Sequence, residues 1–230
     1  MTRKMQVYAR MSSRVLKPCF RSSSGHLHIS KTAGKTPYES GLERDYFIQA
    51  SAHPDFLSLQ WNPIEIHYVD SFGTWRTYTP DALVEHRIGS PMPKKLLVEI
   101  KYWAELRKDY VELRDRFYAA RAYVQTMPGW KFEVRTEKSI DPVFVQNARL
   151  LNRYKDMPLE NQDPDHPSLL INALRDRGGS TPDYLLAVCY SSVEDKARAI
   201  PYLWSMIANG IVGCDMGKTL TMSSHIWPIS

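Results

Sequence analysis

The sequence has little cysteine: Cys19, Cys189 and Cys214 lie far apart, with no C-x-x-C pair. That excludes a disulfide framework and a thiolate zinc site, and it fits a reducing, cytoplasmic compartment. No apolar run approaches the roughly 18 residues that a membrane-spanning helix needs. His26, His28, His53, His67, His86, His166 and His225 show no metal-ligand spacing, and a single H-x-H at 26 and 28 is a weak signal. No internal repeat is present. Acidic residues are missing altogether from residues 1–37, which hold eight cations: Arg3, Lys4, Arg10, Arg14, Lys17, Arg21, Lys31 and Lys35. Taking these from the 30 basic residues leaves 22 against 25 acidic ones, so the net +5 of the chain becomes −3 for the remainder. The positive charge therefore belongs to an N-terminal arm. Its Ser-rich, weakly apolar composition predicts a flexible segment whose cations contact DNA phosphates through counterion release. The plain alternatives are a solvated tail or an organelle transit segment.

What is present suits a folded body. Hydrophobic residues make up 43% of the chain, enough for a core. Leu42, Tyr46 and Phe47 at helical spacing predict a helix over 38–48, opened by Pro37. Alternation predicts strands at 64–69 and 130–135, short β-like runs suggest 74–78 and 82–86, and a mostly apolar first half marks 95–101 as a buried strand, with turns at 70–73 and 89–93. A long charged helix over 104–126 connects the last two strands, a crossover that implies partly parallel pairing. A further helix spans 142–154. The polar, proline-bearing stretch 158–167 reads as a linker. Helices are expected at 168–175, from Thr181-Pro182 to 190, and at 194–208, followed by a hairpin of 211–214 with 220–222; that order is winged-helix-like. Trp61, Trp75, Trp103, Trp130, Trp204 and Trp227 read as core or domain-contact residues.

One constellation carries chemistry. Glu99 and Lys101 lie two apart on one strand, so they share a face. Asp81 follows Thr79-Pro80 at the start of another strand. If the strands pair, two carboxylates and an ammonium converge. Close carboxylates repel, and a divalent cation relieves this. Mg²⁺, with Mn²⁺ as a substitute, takes oxygen ligands and keeps waters, one of which can attack a phosphodiester. Lys101 can orient that water or face the charge developing on the phosphate. The plain alternative is a solvated E-x-K and a Pro-Asp turn, but these residues flank hydrophobic strands. Glu43, on the first helix, is a fourth candidate, and Glu39 one turn earlier is its rival.

The run Glu39-Ser40-Gly41-Leu42-Glu43-Arg44-Asp45-Tyr46, with Tyr78-Thr79-Pro80-Asp81, Val98-Glu99-Ile100-Lys101 and Trp130-Lys131-Phe132, resembles the TnsA family, the endonuclease subunits of heteromeric DNA transposases. The resemblance covers about residues 38–155. It implies an α/β chain with a restriction-endonuclease-like PD-(D/E)xK core over 38–157 and a small winged-helix-like domain over 158–230. It implies catalytic Glu43, Asp81, Glu99 and Lys101, with Asp81, Glu99 and the Ile100 backbone carbonyl holding the metal. Some family members carry Gln in place of Glu99; the Glu here matches the wider nuclease pattern. The implied activity is cleavage of the 5′ strands at transposon ends. The implied partners are DNA, an integrase-type TnsB-like transposase and a TnsC-like AAA+ ATPase, in a bacterial cytoplasm. Two other readings stay open: a stand-alone restriction or repair nuclease, and an inactive DNA-binding subunit of the same fold.

Overall fold

The computed structural model describes residues 6–13, 24–29, 32, 34–157 and 165–229. Among them are eleven strands and seven α-helices, a mixed α/β chain. Contacts divide the chain into two compact units, Met1–Ile140 and Asp141–Ser230.

The first unit is organised on a four-stranded sheet. Its strands are β4 (Phe56–Trp61), β7 (Ala82–His86), β8 (Lys95–Ile100) and β9 (Trp130–Arg135), in the order β4-β7-β8-β9. β7 is antiparallel to both β4 and β8, whereas β8 and β9 are parallel. The return needed for a parallel pair is made by α2 (Trp103–Lys108) and α3 (Tyr110–Gln125). The single long helix expected over 104–126 is thus broken, at Asp109, which serves as C-cap of one helix and N-cap of the next. Leu83 and Leu97 of the sheet pack with Ala119 and Ala120 of α3; the small alanines let the helix approach closely. Helix α1 (Gly41–Ser51) contacts β4 and β8 and buries Leu42, Tyr46, Phe47 and Ile48.

A second sheet has the order β1 (Val7–Met11), β5 (Ile64–Val69), β6 (Trp75–Tyr78), all antiparallel. Ile64, Ile66, Tyr68 and Tyr78 supply its buried face, and Val7 and Ala9 pack against it. A third, two-stranded sheet joins β2 (Gly25–His28) to β3 (Lys35–Tyr38). Residues 7–11, 25–28 and 35–37 are therefore strands, not the flexible arm that composition suggests. Val7 and Ala9 alternate with polar neighbours over too short a run to register against the surrounding charge. Tyr38 and Pro37 belong to β3, so α1 begins later than expected, at the N-cap Ser40.

The second unit begins with α4 (Pro142–Asn152), whose Leu151 lies in one core with Leu170, Leu174, Leu185 and Leu203. The boundary thus falls at 140/141, not at 157/158 as the polar stretch suggests, because α4 spends its apolar face on this core. Then follow α5 (Asp165–Arg177), α6 (Pro182–Cys189) and α7 (Val193–Ala208). Thr181 caps α6 by accepting from the Tyr184 amide, with Pro182 at the first turn. The closing pair is β10 (Val212–Cys214) with β11 (Ile226–Pro228). Its second strand is not 220–222, which lie outside any strand: the Leu220 amide is committed to Asn147 of α4. Among the described residues no helix is long and apolar enough to cross a membrane. Of the tryptophans, Trp204 is buried, whereas Trp75, Trp103 and Trp227 are exposed and so are not core residues.

Candidate active site

The β7–β8 register places the two carboxylates. Ala82 pairs with Val98, so one step further along the antiparallel ladder Asp81 stands opposite Glu99. Opposed side chains in such a ladder have Cβ atoms about 5 Å apart. The Ile100 amide donates to Asp81 Oδ2 at 2.6 Å, which ties the two strand ends together. Lys101 follows β8 directly, and its Nζ lies 3.8 Å from Glu99 Oε1.

Glu43 reaches the same place from α1. Its amide donates to the Oγ of Ser40, the N-cap. Its carboxylate accepts from the Glu39 amide at 2.9 Å and from the Ser40 hydroxyl at 3.1 Å. Sequence Ser40-Gly41-Leu42-Glu43 is a variant of the S-x-x-E capping box in which the glutamate satisfies the amide one residue further out. Glu43 is buried, not an exposed helix glutamate, and Arg44 bonds Asp45.

Glu43, Asp81, Glu99, Ile100 and Lys101 line one cavity of about 800 Å³, and Glu39 lines it too. All the residues expected to carry chemistry are brought together. Tyr78, Arg116 and Glu105 are among the other residues of its walls. Tyr78, at the end of β6, donates its hydroxyl to Glu99 Oε2 at 2.7 Å. Burial and the Glu99 charge push the Tyr78 phenol well above its ordinary range, so it stays a donor. Its place beside Thr79-Pro80-Asp81 was a signal available in the sequence. Arg116, on α3, had none: it is far from the motif in the chain and looks like one more helix-surface cation.

The site is electrostatically tense. Burial pushes the Asp81 carboxyl well above its usual range, and the Glu99 and Glu43 charges push further; the Ile100 amide and Lys101 oppose them. Glu99 is raised too, first by burial and then by Glu43, against the Tyr78 hydrogen bond and the charges of Lys101 and Arg116. Two opposed carboxylates in this condition are relieved by a proton or by a cation. Among the described residues, no cluster of three or more His, Cys, Asp and Glu side chains is arranged to hold a metal ion. A cation at Asp81 and Glu99 would thus have few side-chain ligands.

The arm residues fare differently. Arg10, on β1, bonds Glu65 through Nε at 2.8 Å. Lys35 is exposed on β3. Arg3, Lys4, Arg14, Lys17, Arg21 and Lys31 lie outside the described residues.

No curated protein matches the chain. Residues 53–137 match the family model described as TnsA-like endonuclease N terminal. The matched segment contains Asp81, Glu99 and Lys101, the paired strands that hold them and the α2–α3 crossover; Glu43 precedes it. Over that segment, the chain is similar to the TnsA-like endonuclease N-terminal domain.

Proposed function

We propose that this chain is the Mg²⁺-dependent endonuclease subunit of a heteromeric, Tn7-like transposase and that it cuts the 5′, non-transferred strands at transposon ends. One observation carries the reading: Asp81 and Glu99 stand opposite each other, with Lys101 beside them, in a cavity within the TnsA-like segment. The order of strands around them is compatible with a PD-(D/E)xK core, and three helices before the β10–β11 pair with a winged-helix-like second unit. Asp81, Glu99 and the Ile100 carbonyl would hold the cation. When bound, Mg²⁺ supplies Lewis acidity to the phosphodiester and acidifies the attacking water. Glu43 adds negative charge that favours cation over proton, and its cap geometry fixes where α1 meets the cavity. Tyr78 orients Glu99. Lys101 faces the charge that develops on the phosphate as the leaving oxygen departs.

An integrase-type transposase subunit, TnsB-like, and a TnsC-like ATPase are the partners this reading entails, in a bacterial cytoplasm. Residues 38–230 carry a net −3, so general attraction for DNA is small and placement by a partner is required. The test incubates the purified chain with Mg²⁺ and linear DNA bearing the element ends, with and without the transposase subunit. Cutting of the 5′ strands only in the presence of the partner is the expected result. Asp81→Ala, Glu99→Ala and Lys101→Ala should each abolish it while the fold persists. Efficient cutting by the isolated chain would move the assignment to a stand-alone nuclease. DNA binding with no cutting under either condition would mark an inactive binding subunit.

A further inference from the structure

We propose that the cleft at the free edge of β9 binds the DNA backbone, holding a phosphate one or two nucleotides from the bond to be cut; this rests on the nuclease reading above. The cleft encloses about 480 Å³. Arg121 of α3, Arg135 at the end of β9, and Lys138 in the 3-10 turn Glu137–Ser139 line it, and Glu133 is the single acidic residue of its walls. Three cations against one carboxylate leave a net +2. Glu133 bonds the Arg135 guanidinium through Nη2, but Arg135 Nε is buried with no hydrogen-bond partner. A buried guanidinium N–H without an acceptor is costly, and the part of the Arg135 side chain that remains exposed is free to meet a phosphate oxygen. The other two cations are held by aromatic faces, which position a charge without neutralising it. The Arg121 guanidinium lies 6.0 Å from the centre of the Phe132 ring, and Lys138 Nζ lies 4.2 Å from that of Trp103.

The catalytic cavity has the opposite sign. With all groups counted as ionised, Glu39, Glu43, Asp81, Glu99 and Glu105 outnumber Lys101 and Arg116 there by three. Such a site repels a polyanion until a cation is loaded, so an anchor alongside is needed. The cleft is in the right place. Arg135 is the ladder partner of Ile100, and the Lys101 amide donates to the Arg135 carbonyl at 3.0 Å. Neighbouring strands lie about 4.8 Å apart, and phosphates of one DNA strand repeat about every 3.4 Å along the axis. A strand crossing from β8 to β9 therefore brings its next phosphate, or the one after, to Arg121, Arg135 and Lys138.

The experiment measures binding of the full chain to a fluorescein-labelled duplex by anisotropy, over roughly 50–200 mM salt. The doubly substituted Arg121→Gln, Lys138→Gln chain should bind more weakly at low salt. Its slope of log K against log[salt] should be shallower by about 1.8, two phosphate contacts at about 0.9 each. The charge-conserving Arg121→Lys, Lys138→Arg chain should keep the wild-type slope. An unchanged slope in the neutral variant overturns the proposal, as does loss of slope in the conservative one or no salt-dependent binding by the wild type. Cleavage by an Asp81→Ala chain in the partner assay would instead defeat the nuclease reading, leaving a shallower slope to report phosphate contact on its own.

Discussion

Glu43 combines two roles that a substitution can separate. Its carboxylate oxygens accept from the Glu39 amide and the Ser40 hydroxyl, and its charge bears on Asp81 and Glu99. Glu43→Gln keeps an acceptor for the cap and removes the charge. Stability should then change by less than about 0.5 kcal/mol, while Mg²⁺-dependent cutting falls. Glu43→Ala removes the capping partner as well and should cost about 1 kcal/mol. Chemical denaturation of both variants checks this; equal destabilisation would show that charge, not capping, is what the fold uses. Asp81 makes a sharper prediction. Its folded pKa is raised above the ordinary value of 3.8, so the metal-free fold holds the proton more tightly than the unfolded chain. Stability from that proton is complete below the unfolded pKa and is lost as pH rises through the folded one. Metal-free Asp81→Asn never bears this loss. In the presence of a chelator its Tm should exceed that of the wild type near pH 8, by about 2–4 °C per kcal/mol, and the gap should close towards pH 4. A wild type that is the more stable at pH 8 would contradict the electrostatic account.

Among the elements, α4 shows how one polar side chain can organise a loop. Asn147 is buried and donates to the carbonyls of Met216 and Lys218, at 3.0 and 2.7 Å, while accepting from the Leu220 amide at 2.9 Å. These bonds hold the segment between β10 and β11 on the helix. Asn147→Ala leaves two carbonyls and an amide without their partner, a loss of about 3 kcal/mol. The midpoint of urea unfolding should fall with the m-value unchanged; a shift under about 0.5 kcal/mol would mean that water replaces the asparagine freely. The β8–β9 pair is the corresponding element of the first unit. Its parallel register sets Ile100 beside Arg135, so the crossover through α2 and α3 decides what lies next to the cavity of Asp81 and Glu99.

Across the whole molecule, the first and second units have separate cores. Residues 141–230, expressed alone, should unfold cooperatively on heating, because their core draws on Leu151, Leu170, Leu185 and Leu203 from within the segment. A broad, non-cooperative melt would refute that independence. The N-terminal region calls for a different experiment than composition suggests. Deleting residues 1–36 removes β1 from β5 and uncovers Ile66 and Tyr68, so the first unit should lose stability. Replacing Arg3, Lys4, Arg14, Lys17, Arg21 and Lys31 with Gln leaves β1 in place. The expected result is a lowered Tm for the deletion and an unchanged one for the substitutions.

Sequence alone determined the elements with strong periodicity or clear punctuation: β5 and β7, the stop after α3 at Pro128-Gly129, the Thr181-Pro182 cap. It also determined which residues could matter, because an acidic residue after Pro80 and a Glu-x-Lys closing an apolar strand conflict with burial unless they have a task. It could not determine that Asp81 stands opposite Glu99, since register depends on which strands pair, and pairing is decided by the packing of Leu83 and Leu97 against α3. Nor could it find Arg116 or the β9 cleft. Charges from a helix, a strand end and a 3-10 turn share a surface only when the chain has folded, and that was decided by the tertiary structure.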